Sequence, residues 1–173
     1  MFIKDNEGNV LTVKAVKRIK DHEGMIIVES ANIYYNNKKI GTYGEDYMCG
    51  PAHLSYNEIY ETEINAMGEA FLKKFPNGIK NENYSFFLKD LYKNNYLELL
   101  CIELCMLNYW EKEAKKAFKK GYEYFVVSKK TERHYEENWF IPTEELLKQH
   151  EKSNIIIFKA KNNDESAFNI DIS

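Results

Sequence analysis

The pentapeptide Cys49-Gly50-Pro51-Ala52-His53 holds the residue types best suited to chemistry in this chain. A cysteine at a strand-to-helix junction, with a histidine four residues on, could have its thiol pKa lowered by the helix N-terminus and an imidazolium. Cys49 as nucleophile and His53 as base then define one reading, a thiol-dependent enzyme. Gly-Pro is above all a turn signal, and the plainer reading is a structural turn with a half-buried thiol. Cys101 and Cys105 share a helical face, as two metal ligands would, but no histidine or carboxylate pattern completes a set of four. Core packing is the expectation for both. His22, His53, His134 and His150 have no ligand-set spacing, and HExxH, GxSxG and a phosphate-binding glycine loop do not occur. The sequence predicts no metal, no cofactor and, on balance, no catalysis.

Cys49-Gly50-Pro51 resembles the start of the thioredoxin active site, and Ile141-Pro142-Thr143 resembles that family's Ile-Pro-Thr segment. The resemblance implies thiol redox chemistry at Cys49. It covers these short pieces only. Ala52 stands where the family has its second cysteine, no tryptophan precedes Cys49, and Pro142 leads into a helical pattern where the family has a strand.

Charge is distributed unevenly. Between Lys39 and Lys73 there is no lysine or arginine, while Glu45, Asp46, Glu58, Glu61, Glu63 and Glu69 supply negative charge. Tyr43, Tyr47, Tyr56 and Tyr60 lie among them. Acids beside exposed tyrosines make a face for a basic partner, because tyrosine gives contact area at small entropy cost and complementary charge speeds encounter. The expected partner-binding residues are Tyr43, Glu45, Asp46, Tyr47, Tyr56, Glu58, Glu61 and Glu63. The competing view has the acids as a solvated helix face and the tyrosines as core. A second patch, Lys112 to Lys120 with Lys129, Lys130 and Arg133, could touch phosphate. Against it, Arg18 and Arg133 are the only arginines among 24 basic residues, and the net charge is -3. Direct nucleic-acid binding is therefore not the favoured expectation; a protein partner, itself basic and nucleic-acid-binding, is.

These residues must be positioned by a fold of 173 residues, 44% apolar and 29% charged, which fits one domain. Its organising element is Tyr96 to Lys120, a helix apolar nearly all round in its first half, lysine-rich in its second and closed by Gly121. Strands are expected at Phe2–Lys4, Val10–Ile19, Met25–Glu29, Asn32–Tyr35 and Lys39–Tyr43. Leu11, Val13 and Ala15 alternate with polar residues, and Asn36-Asn37 makes a hairpin turn. Ser55 with Glu58 reads as a capping box opening an amphipathic helix through Tyr60, Ile64, Met67 and Phe71, stopped at Pro76-Asn77-Gly78. Ser85 can cap a short helix. Beyond Gly121, Tyr122–Ser128 and Tyr135–Ile141 read as a hairpin, Pro142-Thr143-Glu144-Glu145 opens a helix, and Asn154–Lys159 is a strand. Phe168 to Ile172 alternates as an edge strand would, though Asn162-Asn163-Asp164 before it could equally begin a loose end.

Strands, then helices, then strands with one helix specify an α+β class, a mostly antiparallel sheet packed around a long central helix. Its parts are N-terminal strands over 1–45, a helical middle over 55–120 and a C-terminal hairpin, helix and strand over 122–173. Three cysteines and no leader-like N-terminus predict a reducing, cytosolic setting. Heavy use of Lys, Asn, Ile and Tyr suggests an AT-rich genome. The function class expected is a small cytosolic binding protein from a phage or mobile element, an inhibitor of a host nucleoprotein of anti-CRISPR or anti-defence type. A homo-oligomer pairing through Trp110, Trp139 and Ile155–Phe158 is a third possibility.

Overall fold

The computed structural model describes residues 1–20, 26–45, 52–79, 92, 95–128, 138–140, 142–153, 156–164 and 166–173. The chain begins with β1 (Phe2–Lys4) and β2 (Val10–Lys20), antiparallel across a turn whose Gly8 takes φ +85. Asp5 Oδ1 closes that turn by accepting the Glu7 and Asn9 N–H groups at 3.0 and 2.8 Å. Next come β3 (Ile26–Tyr35) and β4 (Lys38–Gly44). Asn36 and Asn37 join them at φ 47 and 65, the twist that a two-residue hairpin turn requires.

Where the sequence suggests two strands over 25–35, β3 is a single ten-residue strand. Ser30 and Ala31 are weak strand formers, yet Ser30 pairs with Lys17 and Ala31 with Tyr43. Pairing on both sides overrides local preference. The six-stranded sheet is completed by β5 (His53–Tyr56) on one edge and β9 (Asn169–Asp171) on the other, in the order β5-β4-β3-β2-β1-β9. All its pairs are antiparallel except β1 with β9, so the C-terminal segment is the edge strand its alternation suggests.

A bulge breaks β2. Its register against β3 slips between Lys14 and Lys17, and Ala15 sits at φ 53. Leu11 and Val13 point into the core, but Ala15, expected inside by simple alternation, is exposed. An extra residue re-aims all side chains beyond it. Lys17 therefore faces out and pairs with Glu29 at 2.5 Å, while Arg18 turns in. The Arg18 guanidinium donates to the Cys105 carbonyl at 2.5 Å and to Asn108 Oδ1 at 3.1 Å. Burial lowers its pKa, with Cys105 and Glu45 acting in the opposite direction.

Among the described residues the α-helices are α1 (Glu61–Lys74), α2 (Tyr96–Lys119) and α3 (Glu144–Lys152). Asn95 caps α2 by accepting the Glu98 N–H, and Gly121 at φ +87 turns the chain out of it. Its first half is buried nearly all round, from Tyr96 and Leu97 through Leu104, Cys105 and Leu107. Beyond that only Trp110, Ala114 and Ala117 stay buried, a stripe at helical spacing. Glu103, which interrupts the apolar run, is 7% exposed and accepts the Ile79 N–H at 3.3 Å, tying the turn after α1 to α2. Among the described residues no helix is long and apolar enough to cross a membrane.

The second sheet has three strands in the order β7-β6-β8, with β6 at Tyr124–Ser128, β7 at Asn138–Phe140 and β8 at Ile156–Lys161. Helix α2 packs against β2 and β3 of the large sheet and against β6 of the small one. One buried cluster holds Ile33 and Leu11 of the large sheet, Leu100 and Trp110 of α2, and Phe125 and Phe158 of the small sheet. The architecture is α+β, a mostly antiparallel sheet around a long helix, as the sequence indicates. The expected helix at Ser85 and the turn at 129–132 lie outside the described residues.

Candidate functional site

The acidic segment folds into an outer corner of the large sheet. At Gly41 the backbones of β4 and β5 approach closely: a Cβ there would meet the Ser55 carbonyl and lie 2.7 Å from Tyr56 Cβ. Ser55 does not cap a helix. It sits in β5 opposite Thr42, and the sheet rather than the capping box claims its backbone. The chain then makes a 3-10 turn at Glu58–Tyr60, where Asn57 Oδ1 accepts the Ile59 N–H at 3.2 Å, and enters α1. Ile64, Met67 and Phe71 bury one face of α1, as their spacing predicts.

The expected partner face divides. Glu58, Glu61 and Glu63 are exposed, and between the first two Ile59 is 67% exposed. Tyr56 is half-buried against the core. Tyr43 does not belong to an outer face, and Glu45 is half-buried. Tyr43 is 2% exposed, its hydroxyl donating to Glu45 Oε1 at 3.3 Å, and burial followed by that carboxylate pushes its pKa far up. Glu45 closes the strand end by accepting the Val28 N–H at 2.6 Å. Tyr60 is half-buried, its ring 5.4 Å from that of Tyr35, whose pKa burial raises to about 12. The tyrosines at these positions thus serve packing more than display. Asp46 and Tyr47 lie outside the described residues. Ile59 is the member that charge counting misses; its signal is an apolar residue off the Tyr60, Ile64, Met67, Phe71 stripe.

The thiols divide likewise. Cys101 and Cys105 are core residues. Burial lifts the Cys101 thiol well above its usual pKa and that of Cys105 to about 12, although Arg18 acts to lower the latter. Neither fits a nucleophile or a metal ligand, since both roles require the thiolate. With Cys49→Ala, the native chain should therefore show no thiol reacting with Ellman's reagent within minutes at about pH 8, where a free cysteine is partly ionised. Two should react in denaturant. Rapid native labelling of that variant would contradict the burial. Cys49 itself lies outside the described residues, and His53 is exposed on β5. Pro142 and Thr143, the thioredoxin-like piece, form a helix start: Thr143 Oγ1 accepts the Leu146 N–H at 3.3 Å.

Trp110, one of the expected oligomer contacts, is 1% exposed with its ring 5.0 Å from Phe158, so it holds the two sheets together inside one chain. The side chain of Trp139 and residue Ile155 lie outside the described ones. No protein-family model, curated protein or solved structure matches this chain.

Proposed function

We propose that the protein is a non-catalytic cytosolic binding protein that inhibits a host nucleoprotein, of the anti-CRISPR or anti-defence type, and docks a basic protein surface on its acidic corner. The observation that carries this reading is Ile59, 67% exposed between the exposed carboxylates Glu58 and Glu61. An apolar anchor ringed by charge of one sign suits recognition: the carboxylates speed encounter with a basic surface, and burial of the anchor holds it. Support also comes from β5. It is an outermost strand, and among the described residues nothing pairs with its outer edge, so its backbone can extend a sheet into a partner. Cytosolic action and a mobile-element source accord with the free buried thiols and the composition rich in Lys, Asn, Ile and Tyr.

The test uses the tagged full chain as bait in a nuclease-treated host lysate. Two folded variants run beside it, Glu58→Lys/Glu61→Lys/Glu63→Lys and Ile59→Asp. A stoichiometric, nuclease-resistant protein partner should be captured by the wild type. Each variant should weaken capture about tenfold or more, the loss of a single anchor contact. Capture undiminished in both variants would remove the corner as the docking site.

A further inference from the structure

The lysine-rich half of α2 lies between two clefts. One, ≈570 Å³, has Val16, Arg18 and Lys20 of β2 on one wall and Tyr109, Lys112 and Lys116 of α2 on the other. The second, ≈870 Å³, runs from α2 to the chain ends, with Phe2, Phe118, Phe168 and Lys161 in its lining. Lys115 and Lys119 line both, so these two lysines bridge the clefts. Among the described residues, seven basic side chains line this track against three acids, Glu111, Glu113 and Asp164.

Two of those acids neutralise lysines of the track, and Lys161 pairs with Glu123 at 3.5 Å, so the excess rests on Arg18, Lys20, Lys112 and Lys119. Glu111 pairs with Lys115 at 2.9 Å, Glu113 with Lys116 at 2.6 Å, and Asp164 accepts from the Ser166 N–H and hydroxyl. A chain of net charge -3 therefore gathers a local positive excess, and that placement, unlike the total, decides what the surface attracts. Lys112, Lys116 and Lys119 follow one another along one helix side over about 10 Å.

We propose that this track binds single-stranded nucleic acid without sequence preference. Its backbone would follow the lysines, and its bases would lie on Tyr109 in one cleft and on Phe2 and Phe118 in the other. All three rings are half-buried, each with part of its surface open to the cleft it lines. A positive groove flanked by aromatic faces is the arrangement that holds unpaired bases; a duplex hides those faces, and an acidic peptide has none to offer. Arg18 is occupied by the Cys105 carbonyl and Asn108, and its guanidinium lies 5.6 Å from the Tyr109 ring. It adds charge at the cleft but has no free fork with which to read a base edge, and lysines are point charges. The proposal rests on residues remote in sequence from the acidic corner, so it can fail while the docking reading stands, and the reverse.

The test is fluorescence anisotropy of the full chain with a labelled oligothymidylate of about 12 nucleotides, within the usual site size. Binding should appear near 50 mM salt and weaken with a log–log slope of about -2 to -3, as three or four neutralised phosphates require. Lys112→Glu/Lys116→Glu/Lys119→Glu should lower affinity at least tenfold, whereas Lys38→Glu/Lys39→Glu/Lys73→Glu, the same charge change elsewhere, should leave affinity within about twofold. An abasic strand of the same length should bind about tenfold more weakly, the loss expected when stacking is removed. No binding at low salt, equal losses in both lysine variants, an abasic strand bound as tightly, or polyglutamate competing as well as the oligonucleotide would each overturn the proposal. The salt slope and the abasic strand test the wild-type chain, so neither depends on a variant folding.

Discussion

Trp110→Ala should cost about 3–5 kcal/mol of folding stability, the range for emptying a large aromatic site in a core. Trp110 is 1% exposed, its ring is 5.0 Å from Phe158, and Phe158 in turn is 5.1 Å from Phe168. The stack joins α2 to β8 and to the segment leading into β9, so the cavity would open where the two sheets share their helix. Relaxation there is limited because Ala114 and Ala117, the next buried positions along the stripe, are too small to fill it. With a urea m-value of about 1–3 kcal/mol/M, the midpoint should fall by more than 1 M. Trp110→Phe should lie between the two, and the remaining Trp139 keeps a fluorescence signal. If alanine left the midpoint unchanged, the ring would not be the joint between the sheets.

Gly41→Ala should act on the candidate site from beneath it. The new Cβ would collide with the Ser55 carbonyl and lie 2.7 Å from Tyr56 Cβ. Both obstacles are main chain or its first carbon, so no rotamer change relieves them. Overpacking of this kind costs about 1–3 kcal/mol, and here it falls on β5, an edge strand held from one side among the described residues. Backbone amides of His53–Tyr56 should exchange with deuterium roughly tenfold faster or more, while those of α2 change little. Because the 3-10 turn that displays Ile59 follows β5 directly, capture of the protein partner should weaken too. Wild-type exchange at 53–56 in Gly41→Ala would show that the close approach is not what seats the strand.

The elements easiest to read were those whose signal is local and repeated. Tyr96–Lys119 carries its apolar run, its lysine end and its glycine stop in one contiguous stretch, and Asn36-Asn37 is a turn by its residue types alone. Positions decided by pairing were harder. Nothing local in Ser30-Ala31 says that Lys17 and Tyr43 will pair with them, and nothing in Ser55 says that Thr42 will claim it in preference to a helix. At the candidate site, the carboxylates Glu58, Glu61 and Glu63 were legible from charge. The inward turn of Tyr43 was not, since tyrosine is equally at home in a core and on a surface. The lysines of the basic track were legible as a run along one helix, but their meeting with Arg18 and Lys20 was not. Arg18 and Lys20 are separated from Lys112–Lys119 by the length of the N-terminal half of the chain, and only the packing of β2 on α2 brings their charges together.

That packing depends on one surplus residue in β2, which a second register shift at Lys17–Arg18 matches with one in β3. Up to Val13 the odd-numbered Leu11 and Val13 face the core, and past Ala15 the even-numbered Val16 and Arg18 turn inward while Lys17 is exposed. Lys14 and Arg18 have the same parity yet leave opposite faces: Lys14 lies over the Tyr34 ring, and Arg18 reaches α2. The strand is written in two phases, and the shift between them assigns each cation to its surface. A left-handed φ on a non-glycine residue costs about 1–2 kcal/mol. That cost at Ala15 is what delivers Arg18 and Lys20 to the cleft and sends Lys17 to its partner on the opposite face.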